Sequence, residues 1–224
     1  MEIAGLYLYA YLVGAVPTAY LIGRLVKGVD IRNYGSGNVG GSNVWNHVGK
    51  GWVAPLGLFE VLVKGASPIW IGEHLLALER SSALLVVAPL LAVAGHNWSV
   101  YLKLQGGRGI AVAGGTLLAL APPLLGAFIL AALFGWLAKR SSAFWVLFSL
   151  ALLPLWAVLL GDPPVITWYC GGLVVLVVAK RLLSNWTPLP ADLPKRKVLL
   201  NRLFRDRDVD DRAEWVRRVP SSTK

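Results

Sequence analysis

Hydrophobic and polar positions divide this chain into long apolar runs separated by short loops rich in glycine and charge. The runs cover about residues 3–22, 52–72, 83–102, 110–137, 143–160 and 165–179. Most reach the roughly 17–25 residues that a helix needs to cross a bilayer. The pattern predicts an all-α polytopic integral membrane protein. Run 110–137 carries Pro122-Pro123, and paired prolines break a helix. It therefore divides into two short helices, about 110–121 and 124–137. Twelve residues rise only about 18 Å against a hydrocarbon core of about 30 Å, so this fourth helix needs shelter from protein or a thinned bilayer.

Charge orients the runs. Arg24, Lys27, Arg32 and Lys50 lie in the first loop against Asp30, whereas the second loop holds Glu73, Glu79 and Arg80. The positive-inside rule places the first loop in the cytoplasm and the second outside. Lys103 and Arg108 return the chain to the cytoplasm, and so do Lys139 and Arg140 once the proline break is counted. Gly161-Asp162-Pro163-Pro164 then falls outside. Counted this way, about seven transmembrane helices run N-out to C-in, with 20 of the 22 basic residues cytoplasmic.

Composition narrows the class further. Of 224 residues, 56% are hydrophobic and 15% charged, against about 25% charged in an ordinary globular protein. That excludes a soluble enzyme, a secreted disulfide scaffold and a disordered chain. Cys170 is the single cysteine and has no intrachain partner. Met1-Glu2-Ile3 lacks a cationic signal-peptide start, so the first span is expected to be retained. A net charge of +10 in so apolar a chain points to anionic membrane lipids as partners, not to nucleic acid.

The sequence predicts a membrane-embedded unit over 1–186 and a basic cytoplasmic tail over 187–224. Of the 22 basic residues, 12 lie from Lys180 onward. Within Lys195–Arg205, helical spacing puts Leu199, Leu200, Leu203 and Phe204 on one face, a pattern suited to a helix lying in the membrane interface. A merely solvated basic tail is the plainer alternative.

Loop one, Gly35-Ser36-Gly37-Asn38-Val39-Gly40-Gly41-Ser42-Asn43, packs four glycines, two serines and two asparagines into nine residues. Such a chain can turn its amides inward and cradle a phosphate, helped by hydroxyl and amide side chains. Asn43 leads into a helix-compatible stretch whose N-terminus would add a positive dipole end. A flexible glycine linker is the bland reading. Gly35-x-Gly37-x-x-Gly40, with Glu60 20 residues on, matches the dinucleotide fingerprint only literally, because a membrane helix and not a strand precedes it.

Loop two, from Gly95-His96 to Gly106-Gly107-Arg108-Gly109, lies on the same side. It offers a second close backbone approach and a guanidinium suited to bidentate phosphate contact. His96 is either part of that site or a polar group at a helix end. Glu60 and Lys64, at i and i+4 inside a span, would be costly facing lipid. They form a structural bridge, or Lys64 reaches the site.

These loops resemble the bacterial acyl-phosphate-dependent glycerol-3-phosphate acyltransferases, the integral-membrane PlsY family. Gly35-Ser36-Gly37-Asn38-x-Gly40-x-Ser42-Asn43 is similar to the family's first motif, and Gly95-His96 through Gly109 to its second. Tyr20-Leu21-Ile22-Gly23-Arg24 and Asp30-Ile31-Arg32 share the family look, and the similarity spans about residues 14–115. Lys139-Arg140-Ser141-Ser142 is similar to a third cytoplasmic loop bearing a functional serine, which implies Ser142. Seven spans, N-out and C-in, are also implied.

The resemblance implies transfer of a fatty acyl group from acyl phosphate to the sn-1 hydroxyl of glycerol 3-phosphate. Lysophosphatidate and phosphate would be released, opening phospholipid synthesis at the bacterial plasma membrane with the site facing the cytoplasm. No cofactor or metal is implied, and a substrate phosphate takes the hydroxyl proton. Consistently, the His-x4-Asp of acyl-CoA-dependent acyltransferases is absent: Trp52, Leu78 and Tyr101 follow His47, His74 and His96 at that spacing. Ser36, Gly37, Asn38, Gly40, Ser42 and Asn43 are expected to hold one substrate phosphate. His96, Gly106, Gly107, Arg108 and Gly109 are expected to hold the acyl phosphate, with Lys64, Ser142, Lys180, Arg181 and Asn185 as further candidates.

The chain also departs from the family pattern. Asn46 stands where the family usually has arginine, and Arg108 replaces a lysine. The acid expected three residues before Lys64 would fall at Val61, one position from Glu60. The third motif is reduced to Lys180-Arg181 and Asn185. Those losses motivate a second reading, a non-catalytic relative that binds or senses a phospholipid precursor. A small transporter fits less well, because its helix-breaking glycines belong near the midplane and these lie at span ends.

Overall fold

Prolines decide where several of the helices stop. The computed structural model describes residues 2–139, 142–190 and 193–217, and among them every regular element is helical. Helices α1 (Glu2–Ala15) and α2 (Thr18–Lys27) make one run of 26 residues interrupted only at Val16-Pro17. After the short α3 (Gly41–His47), a second 26-residue run, Lys50–Leu75, contains α4 (Val53–Leu58), a π-helical stretch (Phe59–Ala66) and α5 (Ser67–Leu75). Helix α6 (Ala83–Asn97) leads into loop two.

Helices α7 (Ile110–Leu120) and α8 (Pro122–Lys139) flank the expected proline break, with a correction of detail. The chain turns at Ala121, and Pro122-Pro123 open α8 where a missing N–H costs nothing, instead of lying between two helices that end at 121 and begin at 124. Short α7 is sheltered as its length requires: Val112, Gly115, Thr116 and Leu120 are all buried. The run predicted over 143–160 divides into α9 (Ser142–Ala151) and α10 (Leu153–Leu159), bent by 40° at Leu152 beside Pro154. Helix α11 (Pro164–Leu183) is an unbroken 20-residue apolar helix.

Small residues set the packing distances. A Cβ at Gly14 would stand 2.1 Å from the Ala92 carbonyl oxygen, and one at Gly115 would stand 2.0 Å from that of Val61. Thus α1 lies backbone to backbone on α6, and α7 on the π stretch, as small residues allow within a membrane. On the outside, Leu130, Phe134, Trp168 and Val175 are each about two-thirds exposed or more. That surface belongs against lipid.

The tail does not stand apart. Helix α12 (Lys195–Arg205) packs on α11 and α9, burying Val198, Asn201 and Arg202. The Arg202 guanidinium survives burial because Asp208 holds it at 2.6 Å and the carbonyls of Leu182 and Thr187 accept at 3.1 and 3.0 Å. The inward face is therefore partly polar, while Leu199, Leu200 and Phe204 remain exposed. A last short helix, α13 (Arg212–Val216), buries Trp215.

Candidate functional site

Loop one is built by side chains bonding its own carbonyls. Asp30 opens a 3-10 turn over Ile31–Asn33 by accepting from the Arg32 backbone N–H at 3.0 Å. Hydrogen bonds from the Arg32 side chain hold the Asp30 carboxyl below the usual carboxylate range. Arg32 Nη1 then reaches Gln105 Oε1 of loop two at 3.1 Å. Asn43 Nδ2 donates to the carbonyls of Ile31, Tyr34 and Asn38 at 3.3, 2.9 and 3.0 Å. Asn43 lies inside α3 rather than ahead of it, and its amide knits the loop instead of facing a ligand. The Gly37 N–H is likewise spent, on Tyr34 O at 2.9 Å.

Loop two folds against loop one with no room for side chains at its glycines. A Cβ on Gly107 would fall 2.1 Å from His96 Nε2, and one on Gly109 would fall 2.7 Å from Asn97 Oδ1. Gly109 also takes the left-handed backbone, φ 74°, ahead of α7. The amides of Gly106 and Gly107, expected to face phosphate, donate instead to Asn185 Oδ1 at 2.9 Å and His96 O at 3.1 Å. These glycines shape the site and are not free to bind in it.

Asn185 is the hub. Besides accepting from Gly106, its Nδ2 donates to the carbonyls of Gly37 at 3.3 Å and Gly106 at 3.1 Å. Buried Lys180 places its ammonium between Asn185 Oδ1, at 2.5 Å, and the Asn97 carbonyl, 5.6 Å from the Trp98 ring centroid. Lys180 thus braces the loops from behind. Buried Lys64 does similar work, pairing with Glu60 at 2.7 Å while the other Glu60 oxygen meets His96 Nδ1 at 2.8 Å. The π turn, with its i→i+5 pattern, accommodates an acid one residue earlier than the resemblance expected.

The front of the loops opens into a cavity of about 730 Å³. Ser36, Asn38, Gly40, Ser42, Asn43, His96, Arg108, Gly109, Ser142 and Arg181 line it. Gly37, Lys64, Gly106, Gly107, Lys180 and Asn185 are not on its wall. Arg140 and Ser141 of the third expected loop lie outside the described residues. Arg108 Nη1 donates to Lys180 O at 2.9 Å, and its Nε stands 2.7 Å from Asp206 Oδ1. With its oxygen turned toward Arg108, the Asn38 amide accepts from Nε at 3.1 Å and from Ser36 Oγ at 3.2 Å. Val53, Leu56, Ile110 and Val146 supply an apolar side to the same space.

The sequence profile of the glycerol-3-phosphate acyltransferase family matches residues 4–189. The chain belongs to this family. Glycerol-3-phosphate acyltransferase 4 of Dehalococcoides mccartyi (strain CBDB1) is 36% identical over 225 residues, covering 96% of this chain and 93% of that protein. Glycerol-3-phosphate acyltransferase 5 from another strain of the species is 38% identical over 226 residues, covering 97% and 92%. The crystal structure of PlsY, an integral membrane glycerol 3-phosphate acyltransferase, in its glycerol 3-phosphate form superimposes with a TM-score of 0.75 at 28% identity. It covers 81% of this chain and 88% of that one. The lysophosphatidic acid form gives 0.73 at 26%. An all-helical integral membrane acyltransferase fold is thereby established for this member.

Residues of the tail were missed as part of the site. Arg205, Asp206, Arg207, Arg212 and Trp215 all line the cavity. The signal available was the alternation Arg205-Asp206-Arg207-Asp208 directly after an amphipathic helix, a pattern unlike a uniformly basic solvated tail.

Proposed function

We propose that the protein transfers a fatty acyl group from acyl phosphate to the sn-1 hydroxyl of glycerol 3-phosphate, releasing lysophosphatidate and phosphate. The observation that carries this reading is one cavity that joins Ser36, Asn38, Ser42 and Arg108 to an apolar wall of Val53, Leu56, Ile110 and Val146. Polar heads and an acyl chain need both. The donor is already activated, so holding two phosphates and a hydroxyl in line supplies much of the catalysis. The new ester C–O bond forms as the acyl C–O bond to phosphate breaks, and a substrate phosphate oxygen takes the hydroxyl proton. Ser36 and Asn38 hold a substrate phosphate with Arg108, and Ser142 borders the opposite side. The Glu60–His96 pair fixes the ring beside loop two.

In this reading the protein sits in the bacterial plasma membrane, both loops face the cytoplasm, and about seven spans run N-out to C-in. The exposed Leu199, Leu200 and Phe204 face of α12 rests on anionic lipid.

The test is acyl phosphate hydrolysis and transfer by purified protein, with and without glycerol 3-phosphate. Wild type is expected to release phosphate in an acceptor-dependent manner and to form lysophosphatidate. Ser36→Ala is expected to lose about tenfold or more, the scale of a lost hydrogen bond to a charged group. Besides the motif residues lost from the sequence, the carboxylate already on Arg108 favours a non-catalytic binder. Glycerol 3-phosphate binding without turnover would establish that reading instead.

A further inference from the structure

We propose that residues 205–212 of the tail form a wall of the substrate site and that Arg207 and Arg212 hold the phosphate group of a substrate there. The inference rests on the acyltransferase reading and names side chains that complete its anion site.

The argument begins with charge. On the loop-one side the cavity is lined by Ser36, Asn38, Ser42 and Asn46, all neutral. The cations behind them already have partners: the charge of Arg108, beside Ser36 and Asn38, is offset by Asp206, and Arg181 donates to the carbonyls of Leu203 and Ala143 at 2.8 and 2.9 Å. A phosphate monoester near neutral pH carries about −1.5 to −2 charges and three strong acceptor oxygens. The remaining positive charge in the cavity wall comes from the tail. Of the four aspartates in this segment, Asp206 pairs with Arg108, Asp208 with Arg202 and Asp210 with Lys197 and Arg205, while Asp211 caps α13 by accepting from the Ala213 N–H. No carboxylate among the described residues lies within ion-pair distance of Arg207 or Arg212. Arg207 is satisfied only by the carbonyls of Val209 and Asp210, at 3.0 and 2.8 Å. Burial first, then the neighbouring charges of Arg205 and Arg212, push its guanidinium below the usual value, and Asp210 and Asp211 offset only part of that. Like charges held together at a cavity wall are costly until an anion joins them, and arginine forks match phosphate oxygens.

The wall is held in place, not draped. Arg202 anchors α12 in buried contact with Asp208, Asp206 adopts the left-handed backbone at φ 56° to reach Arg108, and Trp215 is buried. The Val216 carbonyl oxygen approaches loop one, 3.4 Å from where a Cβ on Gly35 would stand. The family profile ends at residue 189, so this wall lies outside the profile.

The experiment uses full-length detergent-purified protein as wild type, Arg212→Ala, Arg207→Ala/Arg212→Ala and Arg207→Lys/Arg212→Lys. Melting temperature is followed against inorganic phosphate and against glycerol 3-phosphate, and KM is measured for glycerol 3-phosphate and for acyl phosphate. Phosphate is expected to stabilise wild type, with the half-maximal concentration rising about tenfold or more in the alanine variants and recovering in part with lysine. In turnover, the KM for one substrate is expected to rise by a similar factor while kcat changes far less. A rise confined to glycerol 3-phosphate assigns the wall to the acceptor, and one confined to acyl phosphate assigns it to the donor. If neither KM nor the phosphate titration moves, or if phosphate leaves wild type unstabilised, the proposal falls. Absence of turnover in wild type would overturn the acyltransferase reading, while the melting titration still decides the tail. Arg212 is exposed, so its single substitution leaves the fold intact even where the double variant does not.

Discussion

Asn185 shows how little of a residue's role its identity reveals. The sequence marks it as the remnant of a motif, but its left-handed backbone at φ 56° and its bonds to Gly37 and Gly106 make it the pin between two loops. Asn185→Ala removes those bonds and strains the backbone, so the melting temperature should fall and kcat/KM should drop at least tenfold. Asn185→Gly should recover backbone ease without recovering activity. Asn43, Gly106 and Gly107 were legible as important, but not the partners their amides take within the loops, because composition cannot say which carbonyl an amide will find first. Glu60 and Lys64 were legible as a pair; His96 as the third member was not, since it lies 36 and 32 positions further along. Glu60→Leu should cost about 3–5 kcal/mol by stranding buried Lys64. Glu60→Leu with Lys64→Met should recover much of that stability in a thermal melt, and any activity still missing then measures what the pair does for His96.

Among the elements, the apolar runs and the break near Pro122 followed directly from hydropathy and proline chemistry. The π stretch did not, although Pro68 just beyond it lacks the N–H that an α-helix would offer the Lys64 carbonyl. Helix α7 packs directly on it at Gly115, where a Cβ would meet Val61 O at 2.0 Å. Gly115→Val should force α7 off the π stretch, lowering the melting temperature by several degrees and disturbing the Glu60 register. Loop one supplies a pH test. The Asp30 carboxyl is held low by Arg32, so its contribution is complete above the unfolded value, about 3.9, and is lost as pH falls through the lower folded value. Wild type should lose stability over that acid window more steeply than Asp30→Asn.

For the molecule as a whole, charge bias and a proline break sufficed to propose an orientation, whereas the charge alternation from Arg205 to Asp208 set the tail apart without saying where it returns. Contacts such as Arg108–Asp206 join residues far apart, and no local pattern encodes them. The orientation is testable because the lone Cys170 is buried and should stay silent toward thiol reagents. In intact cells an impermeant maleimide should label Ser81→Cys, and it should label Lys50→Cys only after lysis; the reverse pattern would invert the topology. The tail's place in the cavity wall also bears on biogenesis. Residues 205–216 leave the ribosome after helices α1 to α11, and loop one, the oldest part of the site, waits for them. A nascent chain therefore holds an open, unfinished cavity throughout its insertion, and the cavity closes only when the tail has emerged and folded back.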